Sequence, residues 1–359
     1  MRGICIVFVV FFHSMETTPS CHVGIQNYIR IYISSFFLPI FFFASGFIFN
    51  KERYPRWPDF ILHKVRTRIV PYVLLFCISY LIFVTKFLFT VENRVAVLAV
   101  AITLPDSLTL FGLLWGNADV LMRAVGNPPL WFLPCLFVTE ILFYMISKLS
   151  DAKLFIPLSS FAVLAYFLSS IPSLNEYRYW FNANIAVTAV IFYGFGYMAN
   201  RFNWSSRVPH NRMKLLVLWL LLNIASIPLA LSNGEIGMAN NNIVGHNYLF
   251  FLLSAFSGII VYSLLSMELT PCKTIKFLGE NSLIIFVFNW QMQFQLKGLL
   301  NSYAKAFQDI IISHDIIYFS LLLTLMVIVL TVPIIFLINY VFPVLIGRSY
   351  RNKIAQSQA

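Results

Sequence analysis

Arg2 and His13 have types and spacing that could set a guanidinium and a proton-accepting imidazole on one helix face. On a helix, eleven residues cover about 16 Å of axis and return the two side chains to within about 20° of one face. A guanidinium and an imidazole would then share one stripe at opposite ends of one element. A neutral imidazole can take a proton from an attacking hydroxyl near pH 7, which few other side chains can do. The plainer reading has His13 capping a short helix among the outer headgroups and Arg2 anchoring it at the interface. Other chemistry fails on inspection. Gly194-Phe195-Gly196 lacks the strand, the helix start and the third glycine of a dinucleotide loop, so helix packing explains it better. The cysteines Cys5, Cys21, Cys77, Cys135 and Cys272 form no CxxC pair, and neither a metal site nor a disulfide framework follows.

The elements that must position these residues are membrane helices. The chain has 359 residues, of which 59% are hydrophobic and only 11% charged, and its mean hydropathy is +0.79. A soluble globular chain carries about 25% charged residues, so a water-soluble enzyme is excluded. Stretches without charge, or charged only at one end, run at 31 to 49, 69 to 90, 130 to 149, 154 to 171, 182 to 200, 215 to 231, 247 to 267, 282 to 296 and 316 to 346. A tenth, Gly3 to Phe12, supplies about half a crossing, which predicts either a short first helix or a start upstream of Met1. A removable signal peptide is disfavoured because Phe11-Phe12-His13 replaces the small residues of a cleavage site. The stretch 95 to 116, interrupted by Pro105-Asp106, reads as an interfacial or re-entrant piece.

With ten spans and both termini cytoplasmic, most of the 25 lysines and arginines fall in inside connections, as the positive-inside rule requires. The net charge of +11 is thereby explained by topology, with no nucleic-acid partner. The expected fold is all-α: one membrane domain over 1–347, followed by a short basic cytoplasmic tail over 348–359.

Several motifs carry a family resemblance. Arg2-Gly3-Ile4 through Phe12-His13 resembles the first-helix motif of the integral-membrane acyltransferase 3 family. Phe36 to Phe47, with its Ser45-Gly46 turn, is similar to that family's second helix, and Phe60 to Tyr72 to its basic entry into the third. Leu130-Trp131-Phe132-Leu133, Phe192 to Tyr197 and Leu278-Gly279-Glu280-Asn281-Ser282-Leu283 match later landmarks, particularly those of the fucose 4-O-acetylase-like branch. The order and spacing of these motifs extend over nearly the whole chain. Three departures stand out. The acidic residue usual just ahead of the first-helix arginine would fall upstream of Met1. Val65 occupies the place three before Arg68 where some branches are basic. Asn289 stands where many relatives carry a histidine.

The resemblance implies a multi-pass enzyme of the bacterial inner membrane that moves an acyl group, usually acetyl, from cytoplasmic acyl-CoA to a hydroxyl of a glycan or lipid-linked sugar. No bound cofactor is implied, since acetyl-CoA is consumed as a substrate. His13 would be the general base, or would itself carry the acyl group. Lys64, Arg66 and Arg68 would hold the phosphates of the donor, or act only as a topology-fixing collar. Arg2 would help seat the donor. Glu140, near mid-membrane, would orient His13 or line the pocket, or else remain a protonated carboxyl between helices. Trp131 would stack on a sugar or belong to the interfacial belt. Asn241, in the run Met238 to Asn242, would bind acceptor hydroxyls, although such runs also form plain turns. The rival reading is a transporter or flippase for a glycan intermediate, with His13 and Glu140 as a proton relay.

Overall fold

In the computed structural model, the residues described are 1–16, 24–90, 107–149, 151–175, 177, 179–207, 212–238, 242–269, 271–303 and 316–348. Among them the chain is helical throughout, apart from connections and one isolated bridge between Gly237 and Asn242. The α-helices longer than four residues are α1 (Arg2–Glu16), α2 (Gly24–Ser34), α3 (Phe37–Phe47), α4 (Trp57–Lys64), α5 (Val70–Thr90), α6 (Ser107–Trp115), α7 (Ala118–Val125) and α8 (Phe132–Ser147). They continue as α9 (Phe155–Ser170), α10 (Ala183–Arg201), α11 (Arg212–Ala225), α12 (Ile227–Asn233), α13 (Tyr248–Glu268), α14 (Lys273–Glu280), α15 (Ser282–Tyr303) and α16 (Ile316–Tyr340). A π-helical turn, Val65–Ile69, joins α4 to α5.

Each stretch expected to span is helical. Seven segments have the length and apolarity to cross a bilayer: Gly24–Phe47, Trp57–Thr85, Pro128–Ser147, Trp180–Arg201, Met213–Asn233, Tyr248–Glu268 and Ile317–Tyr340. The other three differ for visible reasons. α1 and α9 have 15 and 16 residues. α15 has 22 but carries Asn289, Gln291, Gln293, Gln295 and Lys297. The piece at 95 to 116 ends in the nine-residue α6, too short to span, while its first part, 95–106, lies outside the described residues.

The bundle is built around the helices most enclosed by protein. The Trp180–Arg201 window is 89% buried, whereas Met213–Asn233 is only 17% buried and turns Leu218, Leu221 and Leu222 outward. In a bilayer such apolar faces need no protein partner. α10 packs closely along α3 because glycines remove the side chains between them: a Cβ on Gly46 would lie 1.8 Å from the Tyr193 carbonyl oxygen, and one on Gly196 would lie 2.0 Å from that of Phe43. Gly194 does the same for α9, where Leu158 fills the space, so the Gly-Phe-Gly pattern is a packing device.

Connections expected on one side of the membrane meet at one end of the bundle. Asp151 accepts from Lys51 Nζ at 2.7 Å, Arg201 Nε at 2.7 Å and the Tyr197 hydroxyl at 3.0 Å, and Lys148 Nζ donates to the Tyr54 carbonyl at 3.2 Å.

Candidate active site

Two cavities lie at opposite ends of α1. The first, of about 180 Å³, is lined by Arg2, Ser45, Arg68, Glu280, Asn281 and Arg348, among others, over an apolar floor that includes Phe41, Phe132 and Phe286. The second, of about 120 Å³, is lined by His13, Glu16, Trp131, Glu235, Phe286 and Trp290, with Phe12, Phe37 and Met238. The Arg2-to-His13 spacing thus puts the guanidinium in one cavity and the imidazole in the other, as helical periodicity requires.

At the basic cavity, Arg2 Nη2 donates to Ser45 Oγ at 3.1 Å, which fixes the guanidinium against α3. Gly3 permits this seat, since a Cβ there would lie 2.0 Å from the Ile275 carbonyl oxygen on α14. Arg68 forks onto Glu140, with Nε 3.1 Å from Oε2 and Nη2 2.9 Å from Oε1, and Lys64 Nζ donates to Oε1 at 2.8 Å. The π turn between them closes i→i+5 and brings residues four apart nearly above one another. Lys64 therefore shares the carboxylate of Glu140 with Arg68, although Val65 occupies the place three before. One buried carboxylate between two cations lowers the cost of holding both away from water. It leaves this group with one net positive charge.

Arg348 completes the ring of cations. Its Nη1 donates to Asn339 Oδ1 at 2.6 Å, Asn339 Nδ2 donates to Asn281 Oδ1 at 2.7 Å, and Arg348 Nη2 donates to the Glu280 carbonyl at 3.3 Å. Just ahead of it, Gly347 adopts φ +69° and lies against Thr67, where a Cβ would come within 2.8 Å of the Thr67 Cα. The C-terminal segment is thereby seated on the π turn that carries Arg68.

At the other cavity, His13 Nδ1 lies 2.6 Å from Glu16 Oε2, one helical turn away. A carboxylate on Nδ1 favours the tautomer that keeps the proton there, leaving Nε2 as the base. Trp290 meets the imidazole edge-on with centroids 5.2 Å apart. Glu235 is gripped by the buried Arg30, with Nη1–Oε1 at 3.0 Å and Nη2–Oε2 at 2.6 Å, and its neighbour Ile236 N donates to Ser34 Oγ at 3.1 Å. The arrangement offers a base with its orienting acid, two indoles and a second carboxylate around a small, largely apolar space.

The sequence-based expectations divide accordingly. Arg2 and Arg68 reach one cavity, and His13 and Trp131 the other. Lys64 is 8% exposed at its side chain and committed to Glu140, and the exposed Arg66 is not among the cavity-lining residues. The expectation that Glu140 orients His13 is corrected: Glu140 is joined to Lys64 and Arg68, and His13 has Glu16. Asn241 lies outside the described residues. Sequence reasoning missed Arg348, assigned to the tail, along with Glu16, Arg30, Glu235, Phe286 and Trp290. Of these only Glu16 had a local signal, its i, i+3 spacing from His13. Glu280 and Asn281 were noticed as landmarks without a role.

A helical membrane bundle with a basic cavity at one end and a histidine–carboxylate pair at the other has the parts of a group-transfer enzyme. Residues 1–340 match the family model of the acyltransferase domain of the acyltransferase 3 type, and the chain belongs to that family. It is a multi-pass membrane acyltransferase that moves groups other than aminoacyl. No curated protein and no solved structure matches the chain.

Proposed function

We propose that the protein transfers an acetyl or other short acyl group from acyl-CoA to a hydroxyl of a glycan or lipid-linked sugar in the bacterial inner membrane. The observation that carries this reading is the placement of Arg2 and His13 in two cavities at the two ends of α1. The basic cavity takes the phosphate-bearing part of the donor, where Arg2, Arg68 and Arg348 supply charge-assisted hydrogen bonds. Its end of the bundle also carries the Lys51, Lys148 and Arg201 connections, so the positive-inside rule makes it the cytoplasmic end and brings both described chain ends there. The pantetheine arm, long and unbranched, is the part of the donor able to carry the thioester toward His13.

The acceptor sugar enters the other cavity, with Trp131 and Trp290 offering faces to its C–H surface and Glu235 accepting from its hydroxyls. His13 Nε2 removes the proton of the reacting hydroxyl as its oxygen attacks the thioester carbonyl carbon. The new C–O bond forms, the C–S bond breaks, and the imidazolium returns the proton to the departing thiolate, giving the ester and free CoA thiol. Glu16 holds Nδ1 and stabilises the transient imidazolium.

His13→Ala is expected to abolish both acyl-CoA-dependent glycan acylation and thioester cleavage by the purified protein while leaving its amount in the membrane unchanged. Unchanged acylation overturns the assignment. A transporter would show no acyl-CoA dependence at all, and a His13–Glu140 relay would need a link between two groups that hydrogen-bond to different partners.

A further inference from the structure

We propose that Phe286 sets the length of the acyl group this enzyme moves. The inference rests on the acyl-transfer reading above and adds a specificity-determining residue to it.

Among the described residues, Phe286 alone lines both cavities. Its helix runs from one to the other in two turns. Ser282 lines the basic cavity, Phe286 lies one turn on, and Trp290 lies a further turn on against the His13 ring. The spacing i, i+4, i+8 keeps all three on one face. The Phe286 ring packs against Phe132 with centroids 5.2 Å apart and against Phe41 at 6.2 Å, so the three rings form one aromatic cluster at the basic cavity, from which Phe286 also reaches the cavity of His13. Its backbone is held from behind, where the fully buried Asn289 donates from Nδ2 to the Phe286 carbonyl at 2.5 Å. The residue is 5% exposed, so the ring has little freedom to swing aside.

A thioester carbonyl brought within reach of His13 must carry its acyl chain past this ring. For acetyl, one methyl group lies beyond the carbonyl carbon. Each added methylene must find room against Phe286, Phe132 or the walls of a cavity of about 120 Å³ that also receives the acceptor hydroxyl. A close-packed site typically discriminates one methylene by about 10- to 200-fold. Removing the ring should surrender much of that factor.

The test is the acyl-chain profile of the purified full-length enzyme, read as relative kcat/KM for acetyl-, propionyl-, butyryl- and hexanoyl-CoA. Phe286→Ala is expected to shift the propionyl-to-acetyl ratio by tenfold or more toward the longer chain and to admit butyryl. Phe286→Trp should narrow the profile further. Phe286→Leu, which keeps most of the side-chain volume, serves where the alanine variant does not fold, and should shift the same ratio in the same direction by a smaller factor. The ratio between acyl donors carries the test, because Phe286 also lines the basic cavity and its replacement changes the affinity for CoA common to all of them. A wild-type enzyme that cleaves thioesters while all folded Phe286 variants keep its chain profile overturns the role of Phe286. A wild-type protein that neither binds CoA nor cleaves any acyl-CoA overturns the acyl-transfer reading, and this proposal with it.

Discussion

At the scale of single residues, the basic groups that look alike in sequence have three different fates. Lys64 is spent on Glu140, Arg66 faces outward, and Arg68 lies at the cavity with Arg2 and Arg348. Arg348→Glu should therefore raise KM for acyl-CoA by tenfold or more, the scale of one lost charge-assisted hydrogen bond, whereas Arg66→Glu should change it less than about threefold. Steady-state thioester cleavage distinguishes the two, and equal losses would return both residues to a topology role. Glu140 is the opposite case, since its carboxylate is what permits Lys64 to be buried. Glu140→Ala is expected to cost about 3–5 kcal/mol by leaving that charge unpaired, and combining it with Lys64→Met should recover part of the loss. Unfolding in detergent measures both.

At the scale of elements, close helix contact decides where the cavities open. α3 supplies Ser45 to Arg2 and Phe41 to the aromatic cluster, and its position is fixed by α10 through Gly46 and Gly196. Gly196→Ala would drive a Cβ onto the Phe43 carbonyl oxygen, so the helices must part. The expected loss is about 1–3 kcal/mol from overpacking, accompanied by weaker CoA binding as Ser45 retreats from Arg2. Gly298→Ala on α15, where a Cβ meets nothing within 4 Å, should be neutral or slightly stabilising. A Gly196→Ala enzyme as stable as the wild type would contradict the packing argument.

For the whole molecule, one end of the bundle is tied together at Asp151, which joins Lys51 and Arg201, 100 and 50 positions away in sequence, and Tyr197. Desolvation alone would push this carboxyl up, but hydrogen bonds from Lys51, Arg201 and Tyr197 bring it from its usual 3.8 down to about 2. A depressed carboxyl contributes stability that is fully present above its unfolded-state value and is lost as pH falls through the folded one. Thermal unfolding should therefore show Asp151→Asn less stable than the wild type at pH 5 to 7, with the difference closing between about pH 4 and pH 2. A constant difference across that window would mean that the charge of Asp151 is not the stabilising feature.

Composition and periodicity by themselves determined that this chain is an all-helical membrane protein. Where uncharged apolar stretches cross the bilayer, the backbone has to satisfy its hydrogen bonds within each span. They also determined that Arg2 and His13 occupy one face of one helix, because helical geometry is local. The ordered motifs supported the acyltransferase family. Which cation meets which carboxylate was decided only by tertiary packing. Glu140 and Lys64 are 76 positions apart, as are Arg30 and Glu235 by 205, and no periodicity links such distances. The roles of Arg348 and Phe286 arise the same way: the first is seated beside Arg68 by a glycine turn against Thr67, and the second lines two cavities that do not exist until seven or more segments have converged.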